Sequence, residues 1–438
     1  MRKTVAVYWI VAILVIGLSI YAVSNSLSGN NQGTTQRNMS STSLSTPPPS
    51  STSIYTSSIE ITSSSSSFET ISSYATQSSF SSSSSSISAA TTTSSVLSIH
   101  VSGNELVNAS GAPIHLVGVN IIAGACVPGP HSSNLSILYD GGLPNAEVAQ
   151  EISQWHANVV RITPNEDCWL GINGVNASYS GANYRDSIYQ FVQLLHSHGM
   201  YAIIDLHASA PGSYLAIGEQ PMADEDHSIA YWQSVASMFR NDSAVIFEPY
   251  NEPHITTSNA ETSNPWQCWL DGCNITIVQG YHEGTLRANN TSWRAAGMQE
   301  LVNTIRSTGA TNPILIGGLN WSQNLTGLLT YLPSDPLHQL IANYHNYDGP
   351  LNNENYWNTV ILSVAQRMPV ITSEFGESDC ATSFVSEYML WADAHNISYL
   401  PWVWTNWQCN AYGLLSNWNG NSSTYGQVFY DHFRSVNP

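Results

Sequence analysis

Between residues 115 and 404 the chain carries eight short apolar runs: His115 to Asn120, Ala157 to Ile162, Met200 to His207, Ala244 to Tyr250, Pro313 to Leu319, Leu340 to Tyr344, Pro369 to Phe375 and Ser398 to Trp404. Longer amphipathic stretches separate them, Glu147 to Trp155, Tyr184 to Ser197, Ser228 to Arg240, Trp293 to Ser307, Tyr356 to Gln366 and Ser383 to Ala394, with apolar positions three and four apart, as at Leu301, Val302 and Ile305. Strand-like runs alternating with helix-like ones predict repeated βα units. Eight of them predict a closed (β/α)8 TIM barrel, an α/β fold in which no strand is left as an edge. An open doubly wound sheet is the alternative, and it normally brings a glycine-rich phosphate loop that is absent here. Ahead of the first run, Ile99 to Pro113 reads as a short N-terminal β-hairpin, His100 to Ser102 and Glu105 to Val107 flanking Gly103-Asn104, placed to close the barrel floor.

That pattern begins only near Val96. Residues 25–95 are overwhelmingly Ser and Thr with a Pro47-Pro48-Pro49 step, too few apolar groups to offset the entropy of ordering, so they read as a disordered, O-glycosylated stalk. Before it, residues 4–23 form a nearly uncharged apolar run behind Arg2 and Lys3, long enough to cross a bilayer, with a small-residue site at Ala22-Val23-Ser24. Signal peptide and membrane anchor both fit residues 1–24. The expected organisation is therefore a leader at 1–24, a linker at 25–95 and a folded domain at 96–438, about 340 residues, which one barrel with insertions can fill.

All six cysteines, 126, 168, 268, 273, 380 and 409, lie in that domain. An even number behind an export signal favours disulfides, and none has C-x-x-C zinc spacing. Spacing leaves the connectivity open; nearest-neighbour pairing would staple loops on one face. Sequons at Asn134, Asn274, Asn320, Asn324 and Asn396 suit a glycosylated exterior. Only 9% of residues are charged, Lys3 is the single lysine, and the formal charge of −19 at pH 7 speaks against nucleic acid or anionic membrane as partners. Protonation in strong acid would relieve that self-repulsion, so an acidic extracellular setting is expected.

In a barrel of this kind chemistry occurs at the C-terminal strand ends, and the informative polar residues cluster there. Arg161 lies near the end of the second run, His207 ends the third, Asn251 and Glu252 follow the fourth, His345 and Tyr347 follow the sixth, Glu374 ends the seventh, and Trp402 or Trp404 lies on the eighth. Each alone has an ordinary structural reading: a core histidine, a surface arginine, a packed tryptophan. Two carboxylates converging in one barrel mouth do not, because acid and nucleophile chemistry needs such a pair with separated pKa values.

Asn251-Glu252-Pro253, Ser373-Glu374-Phe375-Gly376, Val160-Arg161-Ile162, Asp205-Leu206-His207, His345-Asn346-Tyr347 and the eighth-run tryptophans, in this order over residues 114–404, resemble the signature of glycoside hydrolase family 5, the cellulase family. The resemblance implies Glu252 as general acid and base and Glu374 as nucleophile. It implies Asn251 on the substrate 2-hydroxyl, Arg161 and Tyr347 holding Glu374, His207 and His345 positioning carbohydrate and acid, and Trp402, ahead of Trp404, as a stacking floor. Glu377 and Asp379 are set aside as lying past the Phe-Gly step, and Glu248 is read as structural.

The expectation is thus a retaining glycoside hydrolase with carboxyl groups roughly 5 Å apart. It would cut β-1,4-linked polysaccharide internally, cellulose or β-glucan first, mannan or xylan as alternatives on the same fold. The many tryptophans in candidate loops, Trp169, Trp266, Trp269, Trp321 and Trp407, favour an open cleft for several sugars. A non-catalytic glycan-binding surface barrel is the competing class. No G-x-S-x-G elbow or H-E-x-x-H motif occurs, and neither metal nor other cofactor is expected. The protein is expected to be a monomer, extracellular, either secreted or held at the outer cell surface through residues 4–23.

Overall fold

The computed structural model describes residues 97–123, 126, 145–277 and 291–438. The leader at 1–24 and the linker at 25–95 lie outside the described residues, as does the sequon at Asn134. Twelve strands are described, β1 (His100–Ser102), β2 (Glu105–Val107), β3 (Gly118–Ile122), β4 (Val159–Thr163), β5 (Tyr201–Asp205), β6 (Val245–Glu248), β7 (Asn274–Ile277), β8 (Thr291–Arg294), β9 (Ile314–Gly317), β10 (Leu340–Tyr347), β11 (Val370–Gly376) and β12 (Ser398–Pro401). Eight of them, β3 to β6 and β9 to β12, run parallel in one sheet. Its ends meet: Val117 bridges Tyr399, Tyr399 N donates to Leu116 O at 3.0 Å and Trp404 N to Asn120 O at 2.9 Å. The fold is a (β/α)8 TIM barrel.

Strand side chains alternate between two faces, and here the two faces are two separate cores. Val160, Ile162, Ala202, Ile204, Phe247, Ala342 and Tyr344 point outward into the helix layer. Val159, Ile203, Ile246, Leu315, Ile341, Ile371 and Leu400 point inward and form a second cluster with Ile99 and Leu106 of the β1–β2 hairpin, so the hairpin closes the barrel floor. Gly118 stands where β3 and β4 press together: a Cβ there would meet the Val159 carbonyl oxygen at 1.8 Å.

Several elements differ from the sequence expectation. The stretch beginning at Trp293 is not helical at its start; Thr291–Arg294 pairs antiparallel with Asn274–Ile277, and the helix runs Met298–Ser307. Buried Trp293 and Ala295 alternate with exposed Ser292 and Arg294, a period of two, and the helical spacing sets in only after Gly297. β10 continues to Tyr347, so His345 and Tyr347 lie on the strand, not after it. Arg161 is central in β4, while β12 stops at Pro401, leaving Trp402 and Trp404 beyond its end. The stretch around Tyr356 is composite, Glu354–Tyr356, a π-helical turn Trp357–Ile361, then Leu362–Ala365.

Candidate active site

One step above the apolar inner layer, the same alternation brings Asn120, Arg161, Asp205, Glu248 and Asn343 to the barrel axis, all fully buried. Register places Arg161 beside Asn120, Asp205 beside Glu248 and His345 beside Glu374 on neighbouring strands. Arg161 is the hub. Its Nε donates to Glu248 Oε2 at 2.6 Å; Nη1 donates to Asn120 Oδ1 at 3.0 Å and Glu374 Oε1 at 2.6 Å; Nη2 donates to Glu248 Oε1 at 2.8 Å, Asp205 Oδ2 at 2.9 Å and Asn251 Oδ1 at 2.6 Å. Burial opposes the guanidinium charge, but the carboxylates of Asp205, Glu248 and Glu374 outweigh it and hold Arg161 well above its ordinary value. One cation cannot neutralise three buried carboxylates. Burial therefore pushes Asp205 and Glu248 up to about 8 despite Arg161.

Glu374, on β11, is held at both oxygens: Arg161 takes Oε1, and the Tyr347 hydroxyl donates to Oε2 at 2.8 Å. His345 Nδ1 lies 2.7 Å from Glu252 Oε1 and 3.5 Å from Glu374 Oε2. Burial, with Arg161 and His207 adding, keeps this imidazole neutral. Its Nε2 faces Asn343 Nδ2 at 3.3 Å and the Ser373 hydroxyl at 3.1 Å. An amide nitrogen can only donate, so Nε2 accepts, and the proton sits on Nδ1, pointing at Glu252. One oxygen of Glu252, one of Glu374 and a His345 ring nitrogen lie within 4.8 Å of one another. Burial, then the charges of Glu219 and Glu374, raise Glu252 well above the ordinary carboxyl range.

Comparison with known proteins bears on this geometry. The sequence profile described as Cellulase (glycosyl hydrolase family 5) matches residues 107–409, well over half of the chain. The chain belongs to glycosyl hydrolase family 5. Among curated family relatives, Endoglucanase C of Evansella cellulosilytica is 26% identical over 73% of this chain and 36% of its own length. Endoglucanase MaCel5A of a Microbulbifer species is 22% identical over 77% of this chain and 58% of its own. The chain thus spans between about a third and three fifths of these relatives. Among solved structures, a β-glucanase of Saccharophagus degradans (18% identical, TM-score 0.55) covers 78% of this chain and 94% of its own. A β-mannanase of Streptomyces thermolilacinus, solved with mannohexaose (18%, TM-score 0.51), covers 77% and 95%.

On this family 5 barrel a cleft of ≈ 350 Å³ opens over the glutamate pair, walled by His207, Glu219, Trp321, Gln323, Tyr347, Trp402 and Tyr412. The two tryptophans after β12 separate cleanly. Trp402 lines the cleft, stacked on the His207 ring at 5.4 Å and 7°, whereas Trp404 is fully buried edge-on to Trp155 at 4.8 Å. His207 in turn bonds Asp205 Oδ2 through Nδ1 at 2.8 Å. A second cleft of ≈ 370 Å³, with His254, Trp266, Asn320 and Asn324 among its walls, shares Trp321 with the first, and Trp321 stacks on His254 at 5.0 Å. The sequons at Asn320 and Asn324 therefore stand in a groove, where a glycan would fill it.

All eight expected site residues meet at this mouth. Glu377 does not: it accepts from Ser383 Oγ, Phe384 N and Val385 N, tying down the start of the Ser383–Ala394 helix. Glu248 points into the barrel interior beneath the site. Glu219, Gln323 and Tyr412 escaped the sequence reading; Glu219 had one available signal, a charge in the loop after a barrel strand of a chain poor in charges. Among the described residues a second triplet, Glu166, Asp224 and His227, also converges within 4.8 Å, and like the first it is closed by its own hydrogen bonds. Disulfides join Cys126 to Cys168, Cys268 to Cys273 and Cys380 to Cys409, the nearest-neighbour pattern, all on segments that follow barrel strands on the site's side.

Proposed function

We propose that this chain is a retaining glycoside hydrolase that cuts β-1,4-linked polysaccharide internally, with cellulose or a related β-glucan as substrate. The observation that carries it is the approach of Glu252 and Glu374 oxygens within 4.8 Å in a tryptophan-walled cleft. Retaining enzymes keep their carboxyl groups ≈ 5–5.5 Å apart, inverting ones ≈ 6.5–9.5 Å, to leave room for water.

In the first step Glu374 attacks the anomeric carbon while Glu252 gives its proton to the leaving glycosidic oxygen, so the C–O bond breaks as an ester forms. In the second, Glu252 takes a proton from water, the water oxygen bonds the anomeric carbon, and Glu374 leaves. The negative charge of Glu374 is one of the causes that keep Glu252 protonated. Its loss in the ester lets Glu252 switch from acid to base. Arg161 and Tyr347 orient the two oxygens of Glu374, and His345 orients Glu252. Asn251, its carbonyl oxygen held by Arg161, presents its amide toward a sugar 2-hydroxyl, a contact that tightens in the transition state. His207 supports Trp402 as a stacking floor.

Two adjoining clefts sharing Trp321 support binding of several consecutive sugars, hence internal attack. The endoglucanase names of the curated relatives support a glucan. Mannan is the second reading, because a mannanase stands among the solved structures of like fold. The same proposal includes secretion or surface display through the segment at 4–23, a stalk at 25–95, an exterior glycosylated at sequons other than Asn320 and Asn324, work in acid surroundings, and a monomer. Hydrolysis of carboxymethylcellulose, galactomannan and xylan, compared from strongly acidic to neutral pH, tests it. Rapid loss of carboxymethylcellulose viscosity is expected; no reducing ends from any of the three would refute it.

A further inference from the structure

The ladder of β6 ends at Glu248, so Glu252 stands on backbone beyond the paired strands. A catalytic acid has to be held to within roughly 0.5 Å, and bonds other than strand pairing must do it here. Three consecutive carbonyls supply them. Asn251 O accepts from Ser322 Oγ at 2.8 Å, Glu252 O from His254 Nδ1 at 2.7 Å and Pro253 O from Trp321 N at 3.1 Å. The His254 ring is itself stacked on Trp321. Each of these restraints leads back to the turn from Asn320 to Ser322.

That turn follows β9 and is left-handed at three residues in succession, with φ of 55° at Asn320, 55° at Trp321 and 57° at Ser322. L side chains crowd the backbone in this region, so such a run persists only where its surroundings hold it. Gln323 N donates to Asn320 O at 3.1 Å and Asn324 N to Leu319 O at 2.9 Å, which closes the turn. Ser322 is fully buried, and a Cβ at Gly317 would stand 2.2 Å from its hydroxyl oxygen. The bare glycine leaves that hydroxyl its place. The Ser322 carbonyl in turn accepts from His345 N at 3.1 Å, and the His345 ring reaches Glu252 Oε1. One serine therefore grips the main chain at two points, next to Glu252 and at the histidine that orients its carboxyl.

We infer that Ser322 is a positioning residue for the general acid: its hydroxyl and carbonyl fix Glu252 and His345 relative to one another, so that the Glu252 proton meets the departing oxygen. The inference rests on the hydrolase reading above and concerns the proton transfer of its first step. When phenol is the leaving group, its oxygen takes the C–O electron pair and the Glu252 proton while Glu374 bonds the anomeric carbon. Dinitrophenolate leaves with the electron pair and no proton. A displaced acid therefore slows the first reaction and spares the second.

The test compares kcat/KM of the full chain on phenyl and dinitrophenyl β-cellobioside, wild type beside Ser322→Ala. The variant is expected to lose about tenfold on the phenyl glycoside, the order of cost of a small misplacement, and less than about twofold on the dinitrophenyl one. Equal losses on both overturn the role of Ser322 alone, because a loosened barrel, or a weakened Asn251 contact to the sugar, slows both substrates alike. An unchanged phenyl rate overturns it too. A wild type that hydrolyses neither aryl glycoside nor any β-glucan, mannan or xylan overturns the parent reading as well. Should Ser322→Ala fail to fold by circular dichroism, Ser322→Gly carries the same comparison, since glycine suits a φ of 57° and lacks the hydroxyl.

Discussion

His345 Nδ1 stands 2.7 Å from Glu252 Oε1, and the neutral ring, fixed by Asn343 and Ser373 behind it, presents its proton there. The imidazole is thus a fixed donor to the acid. Replacing His345 by alanine should cost about 10- to 100-fold in kcat, the worth at roughly 1.5–3 kcal/mol of one hydrogen bond to a carboxyl that becomes charged as it gives up its proton. Steady-state kinetics on a soluble substrate check this, and an unchanged kcat would show that Glu252 needs no such guide.

The two glutamates are expected to fail differently. Glu374→Gln should lose turnover on every substrate. Glu252→Gln should lose about 10²- to 10⁴-fold on polysaccharide, the usual range for general acid catalysis. It should lose far less in the first step with a dinitrophenyl leaving group, which departs without a proton. A burst of dinitrophenol from Glu252→Gln, measured by stopped flow, is the expected signature; equal losses on both substrates would remove Glu252 as the acid.

The tryptophans beyond β12 divide by burial. Trp402→Ala should raise KM by about tenfold, the loss of one aromatic stacking contact of roughly 1.5 kcal/mol, with little change in unfolding. Trp404→Ala, fully buried against Trp155, should lose about 3–5 kcal/mol of stability. Paired measurement of KM and chemical denaturation distinguishes them, and the reverse assignment would move the stacking floor to the other residue.

Stability should depend on pH with a defined sign. Asp205 and Glu248 are held near 8 and Asp224 near 7, chiefly by burial. Their folded values lie above the ordinary ones of 3.8 and 4.5, so folding favours the protonated forms. That stabilisation is complete below about pH 4 and is lost as pH rises through 7 to 8. In the opposite direction, Asp242, Asp335 and Asp393 have lowered values, despite burial, because of His196, Arg306 and His432, and their contribution fades as pH drops below 4. Calorimetry should find the highest Tm between about pH 4 and 7 and a decline above it. A Tm still climbing beyond pH 8 would mean these carboxyls are ionised in the folded protein.

Much of the barrel was legible because alternation is a short-range property. Val159, Val160 and Arg161 carry in three residues the inner core, the outer core and the hub of the site. The separation of Trp402 from Trp404 was not legible, since both lie beyond the last paired residue, where period-two reasoning stops applying. Trp293 misled because a buried aromatic suits helix and strand alike until its partner, here Ile275, is known. Glu219 was hidden for another reason: a loop carboxylate acquires meaning only from what it faces, and its partners Asn251 and His207 come from elsewhere in the chain.

Glu374 and Glu252 are proposed to face each other across a gap that leaves no room for a water between Glu374 and the sugar carbon, so that Glu374 itself attacks first and water enters only to hydrolyse the ester. Proton NMR of the anomeric signals in the first minutes of cello-oligosaccharide hydrolysis tests it most directly. With retention, the β-anomer of the new reducing end appears first and the α-anomer grows later by mutarotation; initial release of the α-anomer would mean inversion and remove Glu374 as the nucleophile.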